Sequence, residues 1–130
     1  MSLLRRLSSS SATHMVVAFL AMGGWAVFAN RDHAMPRPLI AGVVQGALSA
    51  LITLFLKSVI ERLAALFDGT ASLWAPPLIA IAASSTLLVL IHLLAGTPEI
   101  ARTVALPLLV SSTYAAAYNY TLYLREHRTP

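Results

Sequence analysis

The chain has 130 residues, 58% of them apolar and 11% charged, with a mean hydropathy of +0.75. Soluble domains run nearer about 25% charged residues, so this chain has too few charges to cover a water-facing surface; its length allows one domain. Cysteine is absent, which excludes a disulfide framework, thiolate metal sites and thiol catalysis. The net charge of +4 comes from nine Lys and Arg scattered over short segments. A positive-inside distribution explains them better than a nucleic-acid surface, and no nucleic-acid partner is expected.

The first residues are basic and Ser-rich, and Leu7 to Asn30 contains no Asp, Glu, Lys or Arg. A basic start, an apolar core and Val27-Phe28-Ala29 share the outline of a secretory signal. The segment is read here as a retained first span, about residues 13–30. The polar stretch 30–38 is a tight turn, and Pro38 suits the first position of the next helix.

That second span, about 38–57, carries the most information. Gly42, Gly46 and Ala50 recur every fourth residue, as do Gln45, Ser49, Thr53 and Lys57. At about 100° per residue these seven fall within roughly 140° of arc. Val43, Val44, Leu48, Leu51, Ile52, Leu54 and Phe55 lie opposite. A face of small and uncharged polar groups is expected to meet other helices, and the apolar face to meet lipid. Gly42, Gly46 and Ala50 are the expected packing residues, with Met22-Gly23-Gly24 of the first span as the surface that receives them.

Beyond Lys57 the apolar positions Val59, Ile60, Leu63, Leu66 and Phe67 keep helical spacing. They predict an extension over 58–68 that lies along the membrane interface until Gly69 stops it. Residues 69–98 again lack Asp, Glu, Lys and Arg. Trp74 marks an interface, and Pro76-Pro77 the start of a third span, about 76–96. Thr97-Pro98-Glu99 reads as N-cap, first-turn proline and first-turn acid. The fourth span, about 103–124, follows in a helix that runs to Arg125 and is expected to kink at Pro107.

Four spans of about 20 residues suit a hydrocarbon core about 30 Å thick. The fold class expected is therefore an all-α integral membrane protein with four transmembrane helices in two helical hairpins. Lys and Arg number six on the side of the termini and the middle connection, against three on the other side. That bias predicts cytoplasmic N and C termini and fits a bacterial inner membrane. Spans 2 and 4 also align, with one gap, through Pro38-Leu39-Ile40 against Pro107-Leu108-Leu109 and Thr53–Lys57 against Thr121–Arg125. The alignment suggests a parallel internal duplication that pairs Gln45 with Tyr114, Ser49 with Tyr118 and Lys57 with Arg125.

The spans hold no Asp or Glu, so a carboxylate-driven antiporter and paired-carboxylate hydrolysis both lack their central group. Sequence motifs for metalloprotease, serine hydrolase or phosphate-loop chemistry are absent, and no enzymatic activity is expected. The histidines are not grouped as metal ligands, so neither metal nor cofactor is expected. His92, alone among ionisable residues well inside a span, is either a pH-sensitive group or a neutral imidazole bonded to a neighbouring helix. The amide of Gln45 must find a partner in hydrocarbon. With Ser49, Thr53 and Lys57 on span 2, and Tyr114, Tyr118, Thr121 and Arg125 on span 4, it makes two polar stripes, each ending in a cation. These eight residues are the candidate substrate-binding set, with Lys57 and Arg125 placed to receive a phosphate or carboxylate head group. The expectation is a non-enzymatic transport or lipid-handling protein whose partners are membrane lipid and copies of itself. The alternative is an accessory subunit of a larger membrane complex.

Overall fold

The computed structural model describes residues 11–128, and all regular structure among them is helical. There are four helices: α1 (Ser11–Ala29), α2 (Arg37–Ala64), α3 (Ala71–Ala95) and α4 (Ile100–Arg128). All four are long and apolar enough to cross a membrane, which makes this an all-α integral membrane protein. At 1.5 Å per residue α1 is about 28 Å long, close to the hydrocarbon thickness, whereas α2 and α4 each exceed about 40 Å. Because consecutive helices reverse direction, the two connections 30–36 and 96–99 share one end of the bundle, here the loop end. Ser11, residues 65–70 and Arg128 share the other, the tail end, and the surplus length of α2 and α4 emerges there.

The α1–α2 hairpin closes on glycine. A Cβ on Gly23 would lie 2.8 Å from the Gly42 carbonyl oxygen, and one on Gly46 would lie 3.0 Å from the ring and carbonyl of Phe19. Gly42 is equally tight against Val27, so the backbones meet where side chains are missing, and dispersion replaces the hydrophobic drive that lipid does not supply. Of the two neighbouring glycines on α1 only Gly23 is at the seam; Gly24 faces open space. Gly23, rather than Gly24, is therefore the α1 glycine that receives α2.

Helix α2 touches all three others, while α1 and α3 do not touch. This divides the face that was expected to meet lipid. Val43, Leu51, Leu54 and Phe55 are exposed, but Leu48 is buried with Leu88 of α3 and Val104 of α4. A second cluster joins Leu56 and Ile60 to Ala80 and Ala115. Ile60 falls within the stretch expected at the interface, yet it is fully buried, and the helix ends at Ala64 rather than near Gly69. The turn after Lys57 thus belongs to the packed bundle. Gly69, with φ +60°, serves the connection to α3.

Helix α3 begins at Ala71, five residues before the expected proline start, and holds Pro76 and Pro77 inside it. Two adjacent prolines remove the N–H donors that would bond the carbonyls of Ser72 and Leu73 one turn back. The side-chain amide of Asn119 on α4 donates to both, at 2.9 and 2.8 Å. A partner from another helix thus repairs the break, and the helix runs through it. At the far end Gly96 takes the left-handed conformation (φ +73°), and the Thr97 N–H bonds the His92 carbonyl. Helix α4 runs unbroken through Pro107.

Candidate functional site: a cleft between α1, α2 and α4

The loop end is tied across the two hairpins. Asn30, fully buried, donates through Nδ2 to the Ala26 carbonyl and to Thr103 Oγ1, both at 2.8 Å. Its Oδ1 accepts the Glu99 N–H at 2.9 Å. Asn30 therefore caps the start of α4 from 69 residues away. Thr97, expected to cap α4, instead bonds His92. His33 Nε2 donates to Glu99 Oε1 at 3.1 Å, and Trp25 Nε1 donates to the Arg102 carbonyl at 2.8 Å. The His33 hydrogen bond holds the Glu99 carboxyl below its ordinary pKa; partial desolvation opposes this and Arg102 reinforces it.

These ties pin α1 to α4 at the loop end. Toward the tail end a half-open cleft of about 720 Å³ lies between the three helices. Its walls are mostly apolar, with Val17, Ala18 and Ala21 on α1, Ile52 and Leu56 on α2, and Pro107 and Val110 on α4. Ser49, Thr53 and Lys57 descend one wall at single-turn intervals, Tyr114 faces them from α4, and Ser11 and His14 stand at the α1 side. The size lies within the range of about 300–1,000 Å³ usual for small-molecule sites, and a mostly apolar lining with a few convergent polar groups is the usual composition.

The eight residues of the two stripes therefore separate. Ser49, Thr53, Lys57 and Tyr114 come together in the cleft. Gln45 is fully buried and faces away from it: its Oε1 accepts from His92 Nε2 at 2.7 Å, and its Nε2 donates to Ser49 Oγ at 2.8 Å. The Tyr118 hydroxyl donates to Glu61 at 2.9 Å, and Thr121 bonds back to the Tyr118 carbonyl. Arg125 is exposed on α4 and does not line the cleft. Of the two expected cations only Lys57 lines the cleft, and it has Glu61 beside it, 4.0 Å away. Nor do the aligned stripes play matching parts, since Gln45 is sealed inside while Tyr114 is 42% exposed.

His92 is fully buried and bonded at both nitrogens, to Gln45 Oε1 and to Thr97 Oγ1, each at 2.7 Å. Among the described residues no group of His, Asp and Glu is arranged to hold a metal. The tertiary ties made by Asn30, Thr97, Thr103 and Asn119 lie outside the sequence expectations. The paired prolines were the available signal for Asn119, because two orphaned carbonyls in a membrane helix require a donor. No protein-family model, curated protein or solved structure matches the chain. The class defined by the fold is a four-helix integral membrane protein with a tail-end cleft between three of its helices.

Proposed function

We propose that this protein binds and handles an anionic amphiphile in the cleft, as a non-enzymatic lipid-handling or transport protein that acts as a homo-oligomer. The proposed setting is a bacterial inner membrane with both termini in the cytoplasm, which puts the cleft's polar mouth at the cytoplasmic leaflet. One observation carries the reading: an apolar cleft of about 720 Å³ runs into the bundle and has Lys57 at its mouth. Such a shape accepts a hydrocarbon tail, and a primary ammonium beside it accepts a phosphate or carboxylate. Glu61 does not preclude this. The Lys57–Glu61 pair is 4.0 Å long with side chains 62% and 47% exposed, and exposed pairs of this spacing are worth only about 0.3–0.5 kcal/mol.

The experiment is binding of hexadecyl phosphate and of uncharged hexadecyl glycerol to protein in a nonionic detergent, followed by native mass spectrometry. The phosphate should bind more tightly, and Lys57→Gln should weaken it by about 1.5–3 kcal/mol, roughly 10- to 150-fold. Arg125→Gln, outside the cleft, should change it little. Equal binding of both amphiphiles to wild type, or an unaltered Lys57→Gln, overturns the proposal. An assembly role is the second reading, favoured by the mostly apolar lining of the half-open cleft, which a helix of a larger complex would also fit. Purification from native membranes separates the two: a discrete self-oligomer with bound lipid supports the first, a stoichiometric larger partner the second.

A further inference from the structure

Four buried side chains form a hydrogen-bond chain whose direction follows from the orientation of the Gln45 amide. Gln45 Nε2 donates to Ser49 Oγ, so Gln45 presents Oε1, an acceptor, to His92. His92 must then donate from Nε2, and in the neutral ring Nδ1 is left as an acceptor for the Thr97 hydroxyl. Every donor points the same way, from Thr97 at the loop end, through His92 and Gln45, to Ser49 on the cleft wall. Bonds aligned in this way polarise one another, which strengthens the last donor.

The last donor is the Ser49 hydroxyl. Its oxygen accepts from Gln45, but its proton makes no hydrogen bond among the described residues. Ser49 is 94% buried, since 6% of it is exposed, and it lines the cleft. A buried hydroxyl proton without an acceptor is costly, and an acceptor in the cleft that Ser49 lines would relieve that cost. Thr53, one turn nearer the mouth on the same wall, also has a hydroxyl that makes no hydrogen bond among the described residues. Below Lys57 the wall therefore offers two unspent donors, about 6 and 12 Å deeper along the helix axis. Nothing in packing α2 onto its neighbours uses either proton.

We infer that Ser49 and Thr53 form a subsite for hydrogen-bond-accepting oxygens carried by the amphiphile below its anionic head. The ligand class is an anionic lipid with carbonyl oxygens, such as an acyl ester, rather than a plain alkyl anion. This inference rests on the amphiphile reading of the cleft and adds the chemistry that selects among amphiphiles. In it Ser49 is a contact residue, and His92 and Gln45 are positioning residues that hold the Ser49 proton toward the ligand.

The test uses two lipids that differ by one carbonyl oxygen: ester-linked palmitoyl lysophosphatidate and its hexadecyl ether counterpart. Both carry the same phosphate, so binding of either to wild type, with Lys57→Gln as control, probes the head-group reading by itself. Wild type should prefer the ester roughly 2- to 10-fold, the value of one net hydrogen bond. Thr53→Val together with Ser49→Ala should abolish the preference. Thr53→Val alone, nearly isosteric and at an exposed position, covers the event that losing Ser49 disturbs the buried chain; it should reduce the preference. If wild type binds ester and ether equally well, the subsite is overturned while the head-group reading stands. If neither lysophosphatidate binds, the cleft reading fails and the inference with it. A preference that survives in the double variant also overturns it.

Discussion

Gly23→Ala and Gly24→Ala are adjacent changes with opposite expected signs, and together they weigh the α1–α2 seam. Alanine in a helix interior gains about 0.5–1 kcal/mol over glycine, and this gain is common to both sites. At Gly24 the new methyl meets nothing within 4 Å, so the gain stands alone. At Gly23 it lies 2.8 Å from the Gly42 carbonyl oxygen and 3.4 Å from the Gly46 Cα. Both obstacles are backbone, so no side chain can rotate away, and α1 must back off α2. That movement also loosens the Phe19–Gly46 and Val27–Gly42 contacts along the seam. Overpacking of this kind costs about 1–3 kcal/mol. Because the propensity gain cancels between the variants, their difference measures the seam: Gly24→Ala should be the more stable by about 1–3 kcal/mol. The assay is reversible unfolding in mixed micelles by titration with sodium dodecyl sulfate, read by far-UV circular dichroism. Stabilities equal within about 0.5 kcal/mol, the scatter of ordinary surface changes, would refute the reasoning. Gly46→Leu against Ala47→Leu repeats the comparison on α2, where Ala47 is exposed and Gly46 lies against Phe19.

Asn119→Leu should destabilise by about 2–3 kcal/mol in the same assay, because the carbonyls of Ser72 and Leu73 lose their donor. Pro76→Ala with Pro77→Ala should recover part of that loss in the Asn119→Leu background, by restoring the helix's own N–H groups; no recovery would show that Asn119 acts otherwise. The Glu99 carboxyl is held below its ordinary pKa, so its contribution is present above the ordinary carboxylate pKa and is lost as pH falls through the depressed value. Glu99→Gln should therefore lower stability in the neutral region and converge with wild type at acid pH, which flattens the acid limb of the stability–pH curve; an identical acid limb would remove the His33–Glu99 tie from the account. For orientation, the natural chain has no Cys, so Thr70→Cys and Met35→Cys report cleanly. With cytoplasmic termini an impermeant external reagent labels Met35→Cys and spares Thr70→Cys, and the reverse pattern inverts the topology.

The sequence by itself determined the four spans, the antiparallel hairpins and the small-residue seam of α2. Each of these is a local or periodic property: hydrophobic length must match the bilayer, and the recurrence of Gly42 and Gly46 follows the helical repeat. It also placed Ser49, Thr53 and Lys57 on one line, because a line along one helix needs no knowledge of the others. Only the tertiary structure decided what those lines face. Leu48 and Ile60 look like lipid-facing or interfacial residues until α3 and α4 cover them. Gln45 and Ser49 share one stripe, yet one is turned to His92, 47 residues away, and the other reaches the cleft. Pro76-Pro77 reads as a helix start because the donor that lets the helix begin earlier comes from Asn119 on another helix. Thr97 reads as the cap of α4, although Asn30 of the opposite hairpin does the capping. The physical reason is the same in each case. A polar group in hydrocarbon must be satisfied by whatever donor or acceptor the packing brings near, and that partner is set by helix arrangement rather than by sequence neighbours.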